Sequence, residues 1–196
     1  MFRDRDHAAE MMVNYLEAKN PDFDRVIVNS FTGLPVAEKV ADKLNLGISP
    51  LFCTELSKGL NGPTYGAVCQ DGTLWLNDAM VREFMISPEY ISDQAECTRK
   101  EIVEKARQAG YEGMPQVKGE NILVLNDGVS SGMRSAAAAG SCIKNGSSQL
   151  TLAAPFISST AYGMLENLFD RIYCLETPSF VVSVDDGYWA SDLKKF

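Results

Sequence analysis

Apolar positions along the chain alternate between a helical and a strand rhythm. From Arg5 to Lys19, Ala8, Met11, Met12, Tyr15 and Leu16 recur at helical spacing opposite Asp6, Glu10, Asn14 and Glu17, which predicts an amphipathic helix. The run Arg25-Val26-Ile27-Val28-Asn29 suits a buried parallel strand, and a turn and a helical segment from Pro35 to Leu44 follow it. Ile48 to Cys53 reads as a second strand. Thr54 to Tyr65, rich in Gly, Pro, Asn and Ser, reads as a long loop of the kind that is usually functional or disordered.

Tyr65 to Gln70 and Thr73 to Leu76 flank Asp71-Gly72, a pair suited to a type I′ hairpin turn. Ser87-Pro88-Glu89 marks a helix start ahead of the charge-rich segment Asp93 to Gln108. Strand, loop, helix and strand then recur as Asn121 to Leu125, a loop, Ser131 to Lys144 and Leu150 to Ala154. A short helix from Ser159 to Phe169, a strand from Arg171 to Leu175 and a tail through Val181 to Asp185 follow. This alternation predicts one α/β domain over residues 1–196, a mainly parallel central sheet flanked by helices with a β-hairpin/helix excursion. Ligands of such sheets gather outside the carboxyl ends of the strands, where strand order reverses. The loops after Val28, Cys53 and Leu125 are therefore the places to look for function.

Composition narrows the partners. The 196 residues are 45% hydrophobic and 22% charged, in the ordinary globular range. Eighteen Lys and Arg against 26 Asp and Glu give a net charge of −8, which disfavours nucleic acid and anionic membranes. A small phosphorylated ligand stays compatible, because a helix N-terminus and a few local cations hold one inside an acidic protein. The absence of a long apolar run and the charged segment from Met1 to His7 point to a cytoplasmic protein. The five cysteines, odd in number and without a CxxC pair, read as reduced thiols in that setting. His7, the sole histidine, leaves little material for a zinc site or a Ser-His-Asp triad.

The most informative segment runs from Ile122 to Ser135. An apolar strand enters Asn126 and Asp127, and Gly128, Val129, Ser130, Ser131, Gly132, Met133, Arg134 and Ser135 then lead into an alanine-rich helix. Backbone N–H groups at such a helix start, joined by serine hydroxyls, make a monophosphate cradle, and Asn126 and Asp127 can accept from sugar hydroxyls. The same residues would also serve as a plain turn at Asp127-Gly128 with serine helix caps.

On these residues the chain resembles the type I phosphoribosyltransferases, and specifically a subgroup with degenerate loop motifs. Asn126 and Asp127 match the family's acidic pair, and Ser131, Gly132 and Arg134 match its Thr-Gly-any-Thr loop, with one acid replaced by an amide and the last Thr by Arg. Phe2-Arg3-Asp4-Arg5, Ser30-Phe31-Thr32-Gly33-Leu34-Pro35-Val36-Ala37, Gly66-Ala67-Val68, Leu76-Asn77, Cys174-Leu175-Glu176-Thr177-Pro178 and Ser191-Asp192 extend the match over nearly the whole chain. The resemblance implies binding of phosphoribosyl pyrophosphate with Mg²⁺ and transfer of the phosphoribosyl group to a nucleobase or other nitrogen nucleophile, releasing pyrophosphate. Asp127 and Asn126 would serve the ribose and catalysis, Asp127 also touching the metal indirectly through the ligand. Residues 128–135 would hold the 5′-phosphate, and Ser30, Phe31, Thr32, Gly33 and Lys58 the pyrophosphate. Tyr188, Trp189 and Tyr65 are base-stacking candidates, with a hood expected within 176–196 and a homodimer left open. Where the family keeps cations, however, this chain has Phe31, Cys53 and Thr54. A non-catalytic phosphoribosyl or nucleotide-binding regulator on the same fold is the alternative, and a hydrolase lacks any strand-end Asp-x-Asp pair.

Overall fold

The computed structural model describes residues 1–20, 22–59 and 62–189. Eight strands are β1 (Arg25–Val28), β2 (Gly47–Pro50), β3 (Cys53–Ser57), β4 (Thr64–Cys69), β5 (Leu74–Leu76), β6 (Asn121–Leu125), β7 (Gln149–Phe156) and β8 (Arg171–Glu176). The helices are α1 (Arg5–Lys19), α2 (Leu34–Leu44), α3 (Asp78–Glu83), α4 (Pro88–Gln108), α5 (Met133–Lys144) and α6 (Ser159–Leu165), with a 3₁₀ turn over Val184–Gly187. A parallel sheet in the order β2-β1-β6-β7-β8 forms the centre, and β3-β4-β5 form a small antiparallel sheet. The chain leaves β1 toward β2 and returns on the other side as β6, so strand order reverses between β1 and β6. That reversal fixes where the cleft lies.

Two hydrophobic layers sandwich the sheet. Met12 and Leu16 of α1 and Val36 and Val40 of α2 pack with Val26, Val28, Leu123 and Leu125. On the other face Ala136 to Ala139 of α5 and Leu165 of α6 pack with Ile27, Ile122, Val124 and Leu152. Burying each large aliphatic side chain contributes about 1.5–3 kcal/mol. Helix α5 has four consecutive buried alanines because it lies between the two sheets, contacting β6 and β7 on one side and β3, β4 and β5 on the other. Alanine permits that close approach and is the best helix former. Helix α1 begins at Asp4, whose carboxylate accepts the His7 N–H at 2.7 Å, and ends at Asn20 in the left-handed region.

Several sequence expectations change. The second strand does not run to Cys53; β2 ends at Pro50, and Leu51 and Phe52 lead out into the small sheet. Thr54 to Tyr65 is not one loop, because β3 extends through Ser57 and β4 begins at Thr64. The Gly, Pro and Asn residues that suggested a loop belong only to the connection between them. The hairpin turn is not type I′, which needs positive φ at both central residues. Only Gly72 of the Asp71-Gly72 pair has it (φ 83°), and Asp71 instead accepts the Thr73 N–H and hydroxyl. Helix α3 has no buried residue, so no apolar periodicity announced it. Cys53 and Cys69 face each other across β3 and β4 and form a disulfide, leaving Cys97, Cys142 and Cys174 as free thiols. The reading of five reduced thiols is thereby corrected, and the cysteines no longer speak for a compartment. No helix of the described residues is long and apolar enough to cross a membrane.

Candidate functional site

Val28 and Leu125 are level in the register, so the loops after β1 and β6 leave the sheet side by side. The loop after β6 is tightly built. Gly128 takes φ 154°, and a Cβ there would stand 2.3 Å from the Phe156 ring. Val129 donates its N–H to the Phe156 carbonyl at 3.0 Å, and the Ser158 hydroxyl donates to the Ser130 carbonyl at 2.6 Å. Gly132, at φ 78°, turns the chain into α5. Met133 N–H donates to Ser131 Oγ at 3.2 Å, and Asn126 Nδ2 donates to Ser135 Oγ at 3.1 Å. The first turn of α5 thus faces the loop with its N–H groups and the positive end of its dipole. Glu55 of β3 reaches this place from the small sheet: its carboxylate accepts from Ser131 Oγ at 2.5 Å and lies 4.0 Å from Arg134 Nε.

Asp127, at the carboxyl end of β6, is 1% exposed, and its counter-ion is Arg5, at 3%. Arg5 Nε donates to Asp127 Oδ2 at 2.9 Å, and Nη2 donates to Asp185 Oδ1 at 2.8 Å. The guanidinium lies 4.6 Å from the centroid of the Tyr188 ring, whose hydroxyl donates to the Asp127 carbonyl. Phe2 N–H donates to the Gly187 carbonyl at 2.8 Å, and Trp189 N–H donates to the Phe2 carbonyl at 3.0 Å. The first and last described segments are therefore clasped over the end of β6. Asp127 Oδ1 and both ends of the Asn29 amide are buried without a hydrogen-bond partner among the described residues. Such orphans are rare in folded proteins and ask for an explanation.

A cleft of about 380 Å³ opens beside this assembly, lined by Arg5, Thr32, Thr54, Glu55, Ser130 and Arg134, with Val182 to Asp185 across it. The loop after β1 contributes little charge. Phe31 turns away, its ring stacked on Phe52 at 3.8 Å with Lys105 Nζ 4.6 Å from its centroid. Ser30 Oγ accepts the Gly33 N–H at 3.0 Å, so that donor is already used. Two cations, Arg5 and Arg134, meet two carboxylates, Glu55 and Asp185. Among the described residues no group of three or more His, Cys, Asp or Glu side chains could hold a metal ion.

No family model matches the chain. Two Mycobacterium tuberculosis proteins, from strains CDC 1551 and H37Rv and provisionally named phosphoribosyl transferases, are each 26% identical over 194 residues, covering 96% of this chain. The chain spans only 43% of those relatives' length. The TT1426 protein of Thermus thermophilus superposes with a TM-score of 0.77 at 22% identity, over 97% of this chain and 92% of that one. Adenine phosphoribosyltransferase of Trypanosoma brucei, solved with AMP, pyrophosphate and ribose-5-phosphate, gives a TM-score of 0.51 at 7% identity, over 97% and 73%. The chain therefore has the fold of solved phosphoribosyltransferases and is similar in sequence to proteins provisionally named as such.

Within this phosphoribosyltransferase fold, the residues expected to act together are only partly gathered. Ser130 and Arg134 line the cleft, and Asn126, Gly128, Val129, Ser131, Gly132 and Ser135 line the small cradle behind it. Thr32 lines the cleft too, whereas Phe31 does not. Asp127 lies behind the cleft wall in the grip of Arg5. Lys58 is elsewhere: at the β3–β4 connection it donates to the Phe84 carbonyl at 2.7 Å. Tyr65 is fully buried in the core, where desolvation pushes its phenol pKa up. Tyr188 packs among Phe2, Phe156 and Arg5, and Trp189 is 75% exposed without lining the cleft. Residues 190–196, with Ser191 and Asp192, lie outside the described residues, as do Leu60 and Asn61. Arg5 and Glu55 were missed as site residues. Arg5 stood inside the quoted Phe2 to Arg5 segment, which was the available signal; nothing local marked Glu55.

Proposed function

We propose that the chain binds a 5-phosphoribosyl ligand in the cleft between the loops after β1 and β6. The observation that carries this reading is that Thr32 after β1 and Ser130 and Arg134 at the start of α5 line one cleft, with Asp127 Oδ1 and the Asn29 amide buried without partners at the ends of the two adjacent strands. In this reading residues 128–135 hold the 5′-phosphate, Asn126 and Asp127 accept from ribose hydroxyls, and Thr32 with the loop Ser30 to Gly33 meets the distal phosphates. In this reading a Mg²⁺ would be carried by the ligand's own phosphates, with Asp127 near it only through the ligand. Such an ion would supply charge neutralisation of the leaving pyrophosphate.

Binding is favoured over transfer on the same geometry. Transfer develops negative charge on pyrophosphate, and losing one well-placed donor at such a charge costs about 2.7–4 kcal/mol. Phe31 is engaged with Phe52, Cys53 with Cys69, and Lys58, which does not line the cleft, caps the Phe84 carbonyl. The second reading, transfer to a nucleobase or other nitrogen nucleophile, is favoured by the two arginines that do line the cleft. Calorimetry with ribose 5-phosphate, AMP and Mg²⁺-phosphoribosyl pyrophosphate, followed by a pyrophosphate-release assay across nucleobases, tests both. Binding without release is the expected result; release with any acceptor moves the conclusion to transfer, and no binding of any phosphorylated ribose overturns both readings.

A further inference from the structure

Glu55 puts a carboxylate where the proposed phosphate cradle would put its ligand. It comes from β3, across the cleft from α5, and accepts a hydrogen bond from the Ser131 hydroxyl at 2.5 Å while that oxygen accepts the Met133 N–H at 3.2 Å. Arg134 Nε stands 4.0 Å from the same carboxylate oxygen. With Glu55 in place, the cradle behind Ser130 to Ser135 retains only about 10 Å³, at the lower limit for a single water and far too little for a phosphate. One donor a phosphate would use, the Ser131 hydroxyl, is thus already taken by an anion belonging to the protein, and Arg134 stands beside that same anion.

We infer that Glu55 is a built-in anion that competes with the ligand's phosphate for the cradle at the start of α5, and so determines how highly charged a ligand the site accepts. This rests on the phosphoribosyl reading above. A phosphate enters only when the Glu55 carboxylate swings off Ser131, and it then sits next to that displaced charge. The cost rises with the ligand's own charge, so the residue selects against the more anionic of two otherwise similar ligands.

Glu55→Gln keeps the size and an acceptor for Ser131 but removes the charge. Ribose 5-phosphate is titrated calorimetrically into the native protein and the variant, with uncharged ribose as reference. The variant is expected to bind ribose 5-phosphate about tenfold more tightly or better, with ribose binding unchanged. Glu55→Asp, which draws the carboxylate back by one methylene, is expected to fall between, and thermal melts verify that both variants are folded. Equal or weaker binding by Glu55→Gln, or an equal gain for ribose, overturns the inference while leaving the phosphoribosyl reading standing. Failure of the native protein and both variants to bind ribose 5-phosphate overturns the phosphoribosyl reading itself, and the inference with it.

Discussion

The loops after β1 and β6 occupy equivalent places on adjacent parallel strands, yet their chemistry has diverged. The β6 loop keeps a helix start, serine hydroxyls, and glycines forced by the Phe156 and Met164 side chains packed against them. The β1 loop spends its largest residue on packing, with Phe31 stacked on Phe52, and bonds its own Gly33 N–H through Ser30. The contrast teaches that a fold can keep an anion site at one strand end while its neighbour is absorbed into the core. Backbone placement survives such a change; charge does not.

The largest expected effect lies at the base of the β6 loop. Arg5→Met removes the counter-ion of Asp127 and leaves a buried carboxylate unpaired, which typically costs about 3–5 kcal/mol. Urea unfolding measures it, and a loss under about 1 kcal/mol would mean that the pair does not hold this loop in place. Next, Gly128→Ala drives a methyl into the Phe156 ring and is expected to cost about 1–3 kcal/mol, along with ribose 5-phosphate binding. Gly33→Ala is the matched control. Its backbone is ordinary (φ −79°, ψ −14°) and the added methyl meets only the Ser30 hydroxyl closely, at 2.9 Å, which must shift off the Gly33 N–H, so the change should cost about 1 kcal/mol, less than at Gly128. Equal effects at the two glycines would erase the contrast between the loops.

Charge restoration sharpens it further. Thr32→Arg places a cation on the cleft wall and should tighten pyrophosphate binding by about tenfold, read by calorimetry. Phe31→Arg should give no such gain, since that side chain points elsewhere, and should lose about 0.5–1.5 kcal/mol from the broken Phe52 stack. The smallest effects concern the cysteines. Thiol titration of the unfolded, unreduced chain should count three thiols rather than five. In the native protein at pH 8, Cys97 should alkylate first, while Cys142, pushed up to about 12 by burial with Asp71 adding to it, stays protonated and unlabelled. A thiol pKa raised on folding stabilises the native state below the unfolded value, and that contribution fades as pH climbs from about 9 toward about 12.

Elements with a repeating apolar face were legible from sequence alone. Helix α1 has the predicted bounds, because Asp4 and Asn20 cap a face carrying Ala8, Met12 and Leu16. The buried run of β6 and the glycine-serine loop after it were equally plain. Strand β3 was not, since Thr54 and Glu55 resemble loop residues until β4 pairs with them. The site was half legible for the same reason. Arg5 and Glu55 are charged residues of the kind that usually face water, and they find Asp127 and Ser131 across separations of 122 and 76 residues. No local pattern encodes such a meeting; only the sheet order brings it about.

The clasp over the end of β6 also orders events in time. Arg5 meets Asp185 across 180 residues, and Phe2 is bridged to Tyr188. Contacts of such separation form late in folding, after nearby pairs have restricted the chain. Asp127 precedes Asp185 by 58 residues, so the Arg5–Asp127 pair closes a shorter loop than the Arg5–Asp185 pair. The cover of the cleft therefore closes only once the chain from Phe2 to Tyr188 has been made.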